Sequence, residues 1–265
     1  MRQISEQSIA KGKKRSRIAL ISALCMSLSA VAILSVLLFM HLSAHPSPSP
    51  NSDNSTDDDG FVEVDWEYWQ SVNPDVIGWV TVPGTQIDHP ILKASKNEPN
   101  YYLKHDVYRN YNPYGVPYLD AECEEGIFGS KNAVIYGHHM NNDSMFSDFA
   151  NFIDRDYLDA HCPIYLQTPD HKAKLEVEYV DIVNGAKAEK HVLFENLTQF
   201  ARWFVDARES ADLVVESNSL PYQVITFCTC SYGTYANERT LVVSSDPATP
   251  DIVFAESEDI YDQAA

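Results

Sequence analysis

The sequence predicts a mainly β domain whose sheet closes into a barrel. Three observations lead there. Short runs rich in β-branched and aromatic residues follow one another between Gly, Pro and Asn breakers from about residue 76 to residue 244. Helical periodicity is confined to a few stretches. Hydrophobic residues make up 45% of the 265, with 15 Tyr, 11 Phe and 4 Trp, enough for a packed core. Many short strands in even succession remove their edges by closing on themselves, so an antiparallel barrel is expected.

The elements follow in order. Asp65 to Trp69 begins a helix that ends before Pro74. Val76–Val82, Ile87–Leu92 and Val116–Leu119 read as strands. Ala133–Tyr136 is a short apolar strand ended by Gly137. Ser144–Phe152 is a helix candidate capped by Ser144 or Asp143. Pro163–Thr168 and Lys174–Val183 alternate as strands. Over Glu195–Ala211, apolar residues at 197, 200, 203, 204 and 207 keep a helical period. Tyr222–Cys230 and Arg239–Ser244 are the last two strands. The polar stretch Ser231–Glu238 joins them, so the pair reads as a hairpin.

The N-terminus reads as a signal anchor. Lys11, Lys13, Lys14, Arg15 and Arg17 lie in a basic segment (1–17), followed by 25 residues (18–42) without Lys, Arg, Asp or Glu. At ~1.5 Å per residue such a helix spans ~37 Å, enough to cross a ~30 Å hydrocarbon core with tilt. The basic flank stays cytoplasmic, which puts the rest of the chain outside the cell membrane as a single-pass protein. A cleaved signal peptide ending near Ala44 is the competing reading, and the apolar run is long for one. Residues 43–60, Ser, Pro and Asp-rich, read as a flexible stalk. The folded domain is expected over 61–257, with a short tail at 258–265.

From residue 45 onward 13 Lys and Arg stand against 37 Asp and Glu, a net of −24. Such a surface repels nucleic acid, whose binding rests on phosphate neutralisation. Four cysteines follow the apolar run: Cys123, Cys162, Cys228 and Cys230. Their spacing matches no common zinc pattern, and the scattered acids have no calcium-loop order. No metal and no cofactor is expected. Pairing of Cys123 with Cys162 is left open.

The chemistry concentrates in two segments. In the hairpin, Cys230 ends one strand and Arg239 opens the next, so the two side chains should emerge on one face across the pair. A guanidinium beside a thiol favours the thiolate and can stabilise an oxyanion. Upstream, the strand Ala133–Tyr136 runs through Gly137 into His138, and histidine is the usual partner of a cysteine nucleophile. His139 should point the opposite way if the strand continues. A papain-like hydrolase would place its cysteine early, at a helix start, with the histidine downstream; here the order is reversed. A non-catalytic, membrane-anchored β domain such as an adhesin is the alternative from another class.

Several segments in their order resemble the sortase family, class B: Asn73 to Trp79, Ile87-Asp88-His89-Pro90 and Tyr101 to Asp106. Tyr136-Gly137-His138 with Ser144-Met145-Phe146 follows, then Thr226-Phe227-Cys228-Thr229-Cys230, then Arg239 with Thr240 to Val243. The resemblance covers roughly residues 61–250. It implies a closed eight-stranded barrel with N-terminal helices and a long helix before the cysteine strand. It implies that Cys230, His138 and Arg239 are catalytic, with Thr229, Ser231 and Tyr232 contacting substrate. It further implies a cysteine transpeptidase cleaving an Asn-Pro-x-Thr-like sorting signal of secreted proteins through a thioacyl enzyme. The amine acceptor would be a cell-wall precursor or, in a pilus-polymerising variant, a pilin lysine. Phe227 and Cys228 depart from the usual Thr-Leu-Ser-Thr-Cys pattern; Cys228 is expected to be a small buried filler.

Overall fold

The computed structural model describes residues 33–35, 56–185, 191–216, 220–231 and 237–253. Apart from 33–35, which are helical, the proposed anchor at 18–42 lies outside the described residues, as do 43–55 of the stalk and the tail. Among the described residues no helix is long and apolar enough to cross a membrane.

The folded unit begins before Phe61. Asp57 accepts hydrogen bonds from the amides of Asp59 (3.1 Å) and Phe61 (2.8 Å), and pairs with Lys172 at 2.5 Å. Thr56 bridges to Val62. These polar contacts order a segment that composition alone assigns to the stalk.

Helix α1 (Trp66–Val72) is capped by Asp65, whose carboxylate accepts from the Tyr68 amide at 2.9 Å. The strands are β1 (Val76–Thr81), β2 (Asp88–Lys93), β3 (Tyr118–Leu119), β4 (Asn132–Tyr136), β5 (Ile164–Gln167), β6 (Lys172–Asn184), β7 (Leu213–Val214), β8 (Val224–Ser231) and β9 (Glu238–Ser245). The spatial order is β5-β1-β2-β3-β4-β8-β9-β6-β7, and β5 also pairs with β6. Eight strands therefore close a barrel, and β7 adds to the free length of β6 beyond β5. The expected long helix is α3 (Leu197–Ser210), which buries Phe200, Ala201 and Phe204 and is capped by Asn196. Helix α2 (Arg155–His161), capped by Asp154, and the two-residue β7 are too short for periodicity to reveal.

Two expectations are corrected. The barrel is not purely antiparallel: β2 pairs with β3, and β4 with β8, in parallel. Ser144–Phe152 is not a capped α-helix but a 3-10 helix over Ser147–Ile153 without a side-chain cap. Asp143 and Met145 have φ of 61° and 63°, left-handed values through which no helix continues, and Ser144 Oγ bonds Asn142 instead.

The interior beneath β4 and β8 is aromatic. Phe149 stacks on Phe227 with centroids 4.7 Å apart, and Phe146 meets Phe149 edge-on at 5.0 Å. All three rings are fully buried, each contributing roughly 1.5–3 kcal/mol of transfer free energy. Ala133, Ile135, Ile225 and Val242 alternate into the same core.

Candidate active site

Strand β8 sits between β4 and β9. On one side it pairs in parallel with β4, Tyr136 opposite Cys228, and the Gly137 amide donates to Cys228 O at 3.1 Å. Two residues further along both chains stand His138 and Cys230. On the other side Cys230 pairs with Arg239 in the antiparallel β8–β9 ladder. The expected opposition of Cys230 and Arg239 is therefore present. Parity puts the Cys230 and Arg239 side chains on the outer face, because the intervening Ile225, Phe227 and Val242 fill the barrel.

The turn after β4 is specified locally. A Cβ on Gly137 would lie 2.3 Å from the Phe146 ring, so this position admits no side chain. The Phe146 amide donates to His138 O at 2.8 Å, closing the turn on the aromatic core. His138 Nε2 lies 2.8 Å from Leu103 O, at the end of the 3-10 turn Tyr101–Leu103. A carbonyl only accepts, so Nε2 carries the proton and Nδ1 is left as the acceptor of the neutral ring. Arg239 Nη1 donates to Glu238 O at 2.9 Å. Gly185 makes room for that side chain, since a Cβ there would come within 3.0 Å of Arg239 Cγ.

Cys230 is partly exposed and Cys228 is buried; both are free thiols, as are Cys123 and Cys162, which do not pair. Burial pushes the Cys228 thiol up to about 12, opposed by the nearby Arg239 charge. Cys228 is thus the filler that its position suggests. Beside it a cavity of about 250 Å³ is lined by Val134, Tyr136, Trp203, Arg239 and Leu241 among others. A larger groove of about 830 Å³ runs past Glu176 and Ser245, near the other ends of β6 and β9 and away from Cys230.

The remaining sequence-named residues divide. Thr229 does not reach the outer face: it is 1% exposed, as strand alternation requires, and its hydroxyl has no hydrogen-bond partner among the described residues. Ser231 continues the ladder opposite Glu238, and Tyr232 lies outside the described residues. His139 does not point away from the site. Strand β4 ends at Tyr136, so alternation no longer applies, and His139 Nδ1 lies 2.8 Å from Cys230 O. The adjacent histidines at a strand end were its only sequence signal.

A family model for the sortase domain matches residues 80–247. Over 107 residues the chain is 36% identical to sortase B of Listeria monocytogenes, spanning 40% of this chain and 42% of that protein. Thus less than half the length of that relative is matched. Over 183 residues it is 21% identical to sortase B of Staphylococcus aureus, 69% of this chain and 74% of that protein. Among solved structures, sortase B of Clostridium perfringens superposes with a TM-score of 0.61 at 25% identity, covering 67% of this chain and 97% of that one. With a family match over more than half of its length and a barrel that superposes on a sortase B structure, the chain belongs to the sortase family, class B.

Proposed function

We propose that this protein is a cysteine transpeptidase that joins secreted proteins to a cell-wall amine, with Cys230 as nucleophile, His138 as acid and base, and Arg239 as oxyanion and backbone clamp. The observation that carries this reading is the placement of Cys230 on the central strand, with a histidine at the end of its parallel neighbour and an arginine directly opposite on its antiparallel one.

The reaction runs in two halves. The Cys230 thiolate attacks the carbonyl carbon of a sorting-signal peptide bond, after Thr in an Asn-Pro-x-Thr-like motif. The resulting oxyanion is stabilised by the Arg239 guanidinium, which is fixed by its bond to Glu238 O. As the intermediate collapses, the C–N bond breaks and the leaving amine takes a proton from the His138 imidazolium at Nδ1. A thioester remains on Cys230. The acceptor amine then gives its proton to neutral His138 Nδ1, attacks the thioester and forms a new amide, and the thiolate leaves. The Leu103 carbonyl does for this histidine what a carboxylate does in a triad: it holds the ring and its tautomer.

Such an enzyme works on translocated proteins near the membrane. The apolar stretch at 18–42 with its basic flank supports an outward-facing catalytic domain on a single anchor, with the chain around 43–55 as its tether.

The test is incubation of the purified protein with a panel of sorting-signal peptides and amine acceptors, followed by mass spectrometry. A thioacyl adduct on Cys230, and ligated product that disappears in Cys230→Ala, is the expected result. Cleavage that persists in Cys230→Ala would sink the assignment.

A further inference from the structure

We infer that His139 is a positioning residue for the nucleophile: its imidazole supplies the ladder hydrogen bond that β4 can no longer give to the carbonyl of Cys230. This rests on the reading of Cys230 as the nucleophile.

The β4–β8 pair is a parallel ladder, in which the amide of every second residue on β4 donates to a carbonyl on β8. The last such rung is the Gly137 amide to Cys228 O, at 3.1 Å. The next would be the residue 139 amide to Cys230 O. By then the chain has left the sheet. It bridges back on itself from His139 to Met145 and passes through left-handed Asp143 and Met145. The ring takes over: His139 Nδ1 lies 2.8 Å from Cys230 O. A carbonyl cannot donate, so Nδ1 is the protonated nitrogen.

The consequence is local. Cys230 is the penultimate residue of β8, just before the hairpin loop. On its β9 side the ladder continues through Ser231 and Glu238. Without the ring, the β4 side would end at Cys228, two residues short of the nucleophile. With it, the Cys230–Ser231 peptide plane is tied from both sides, which fixes where the thiol starts its attack. Small displacements of a reacting group lower rate more than binding, because the geometry matters in the transition state.

His139 touches no reacting atom in this scheme, so its signature lies in kcat. Asn places an amide donor close to the Nδ1 position; Leu has the shape of Asn and no donor. The full-length protein is compared with His139→Asn and His139→Leu in single-turnover thioacyl formation with a sorting-signal peptide. Thermal midpoints are recorded alongside, at an assay temperature well below all three. His139→Leu should lose about tenfold in rate at saturating peptide with KM little changed, the worth of one hydrogen bond to a fixed group. His139→Asn should stay within about threefold of the parent. Equal losses in both variants, or an undiminished rate in His139→Leu, would overturn the proposal. If the parent forms no thioacyl enzyme at all, the assignment of Cys230 fails rather than that of His139, and hydrogen exchange at the Ser231 amide then decides whether the rung holds β8. Faster exchange in His139→Leu but not in His139→Asn supports it, and unchanged exchange in both refutes it.

Discussion

Gly137 and Phe146 are in such close approach that a Cβ on Gly137 would overlap the buried ring at 2.3 Å. The histidine turn is therefore built directly on the aromatic core. Gly137→Ala must displace Phe146 from its contact with Phe149, or move the strand end that carries His138. We expect a loss of about 1–3 kcal/mol, as for other overpacked cores, together with a larger loss of activity than of stability. Denaturant unfolding and a peptide-cleavage assay on the same variant check both.

Arg239→Lys should leave the fold intact and lower transpeptidation at least about tenfold, because an ammonium does not reproduce a planar fork of donors. Gly185→Val should act in the same direction, since the space of the Arg239 side chain is what Gly185 leaves open. Steady-state kinetics with unchanged thermal midpoints is the expected pattern.

The two cysteines of β8 should differ sharply in reactivity. With burial holding Cys228 up to about 12, its thiolate fraction at pH 7 is on the order of one part in 10⁵. Cys162, up to about 11 through burial, should also be slow. Alkylation at pH 7 read by peptide mass spectrometry should label Cys230 first, and Cys228→Ala should keep most of the activity. Rapid labelling of Cys228 would contradict this.

His89 on β2 gives the fold an acid limit. It is buried, and neither ring nitrogen has a hydrogen-bond partner among the described residues. Burial lowers its pKa from 6.5 to about 4, and the neighbouring Asp88 charge offsets only part of this. The folded state thus requires the neutral ring. Above pH 6.5 both states are neutral and nothing is lost. As pH falls from there towards about 4, the unfolded chain takes up the proton first, and stability declines by about 3 kcal/mol in all. His89→Phe should remove this slope. The comparison is the pH dependence of unfolding free energy for the two proteins, and parallel curves would refute it.

Much of this was legible in residue patterns. Alternation located β6, β8 and β9, the 3.6-residue period located α3, and the polar stretch after Cys230 marked the hairpin that sets Arg239 against it. These are local properties, because strand and helix periods and turn chemistry act over a few residues. Where the pattern was short or broken, as at α2, β7 and the left-handed residues before Phe146, local rules named no element or the wrong one.

The sequence by itself determined that Cys230 faces Arg239 across a hairpin, and that His138 follows an apolar strand. The family resemblance implied that the two belong together, and the tertiary structure brings them to one barrel end. His138 and Cys230 share a barrel end because β4 and β8 are parallel; an antiparallel pair would have put the end of β4 beside the start of β8. That choice is made by chain segments nearly a hundred residues apart and by barrel closure, which no local pattern encodes. The same packing turned His139 towards the Cys230 backbone and Thr229 into the barrel. One departs from alternation because its strand had ended, and the other obeys it because its strand had not.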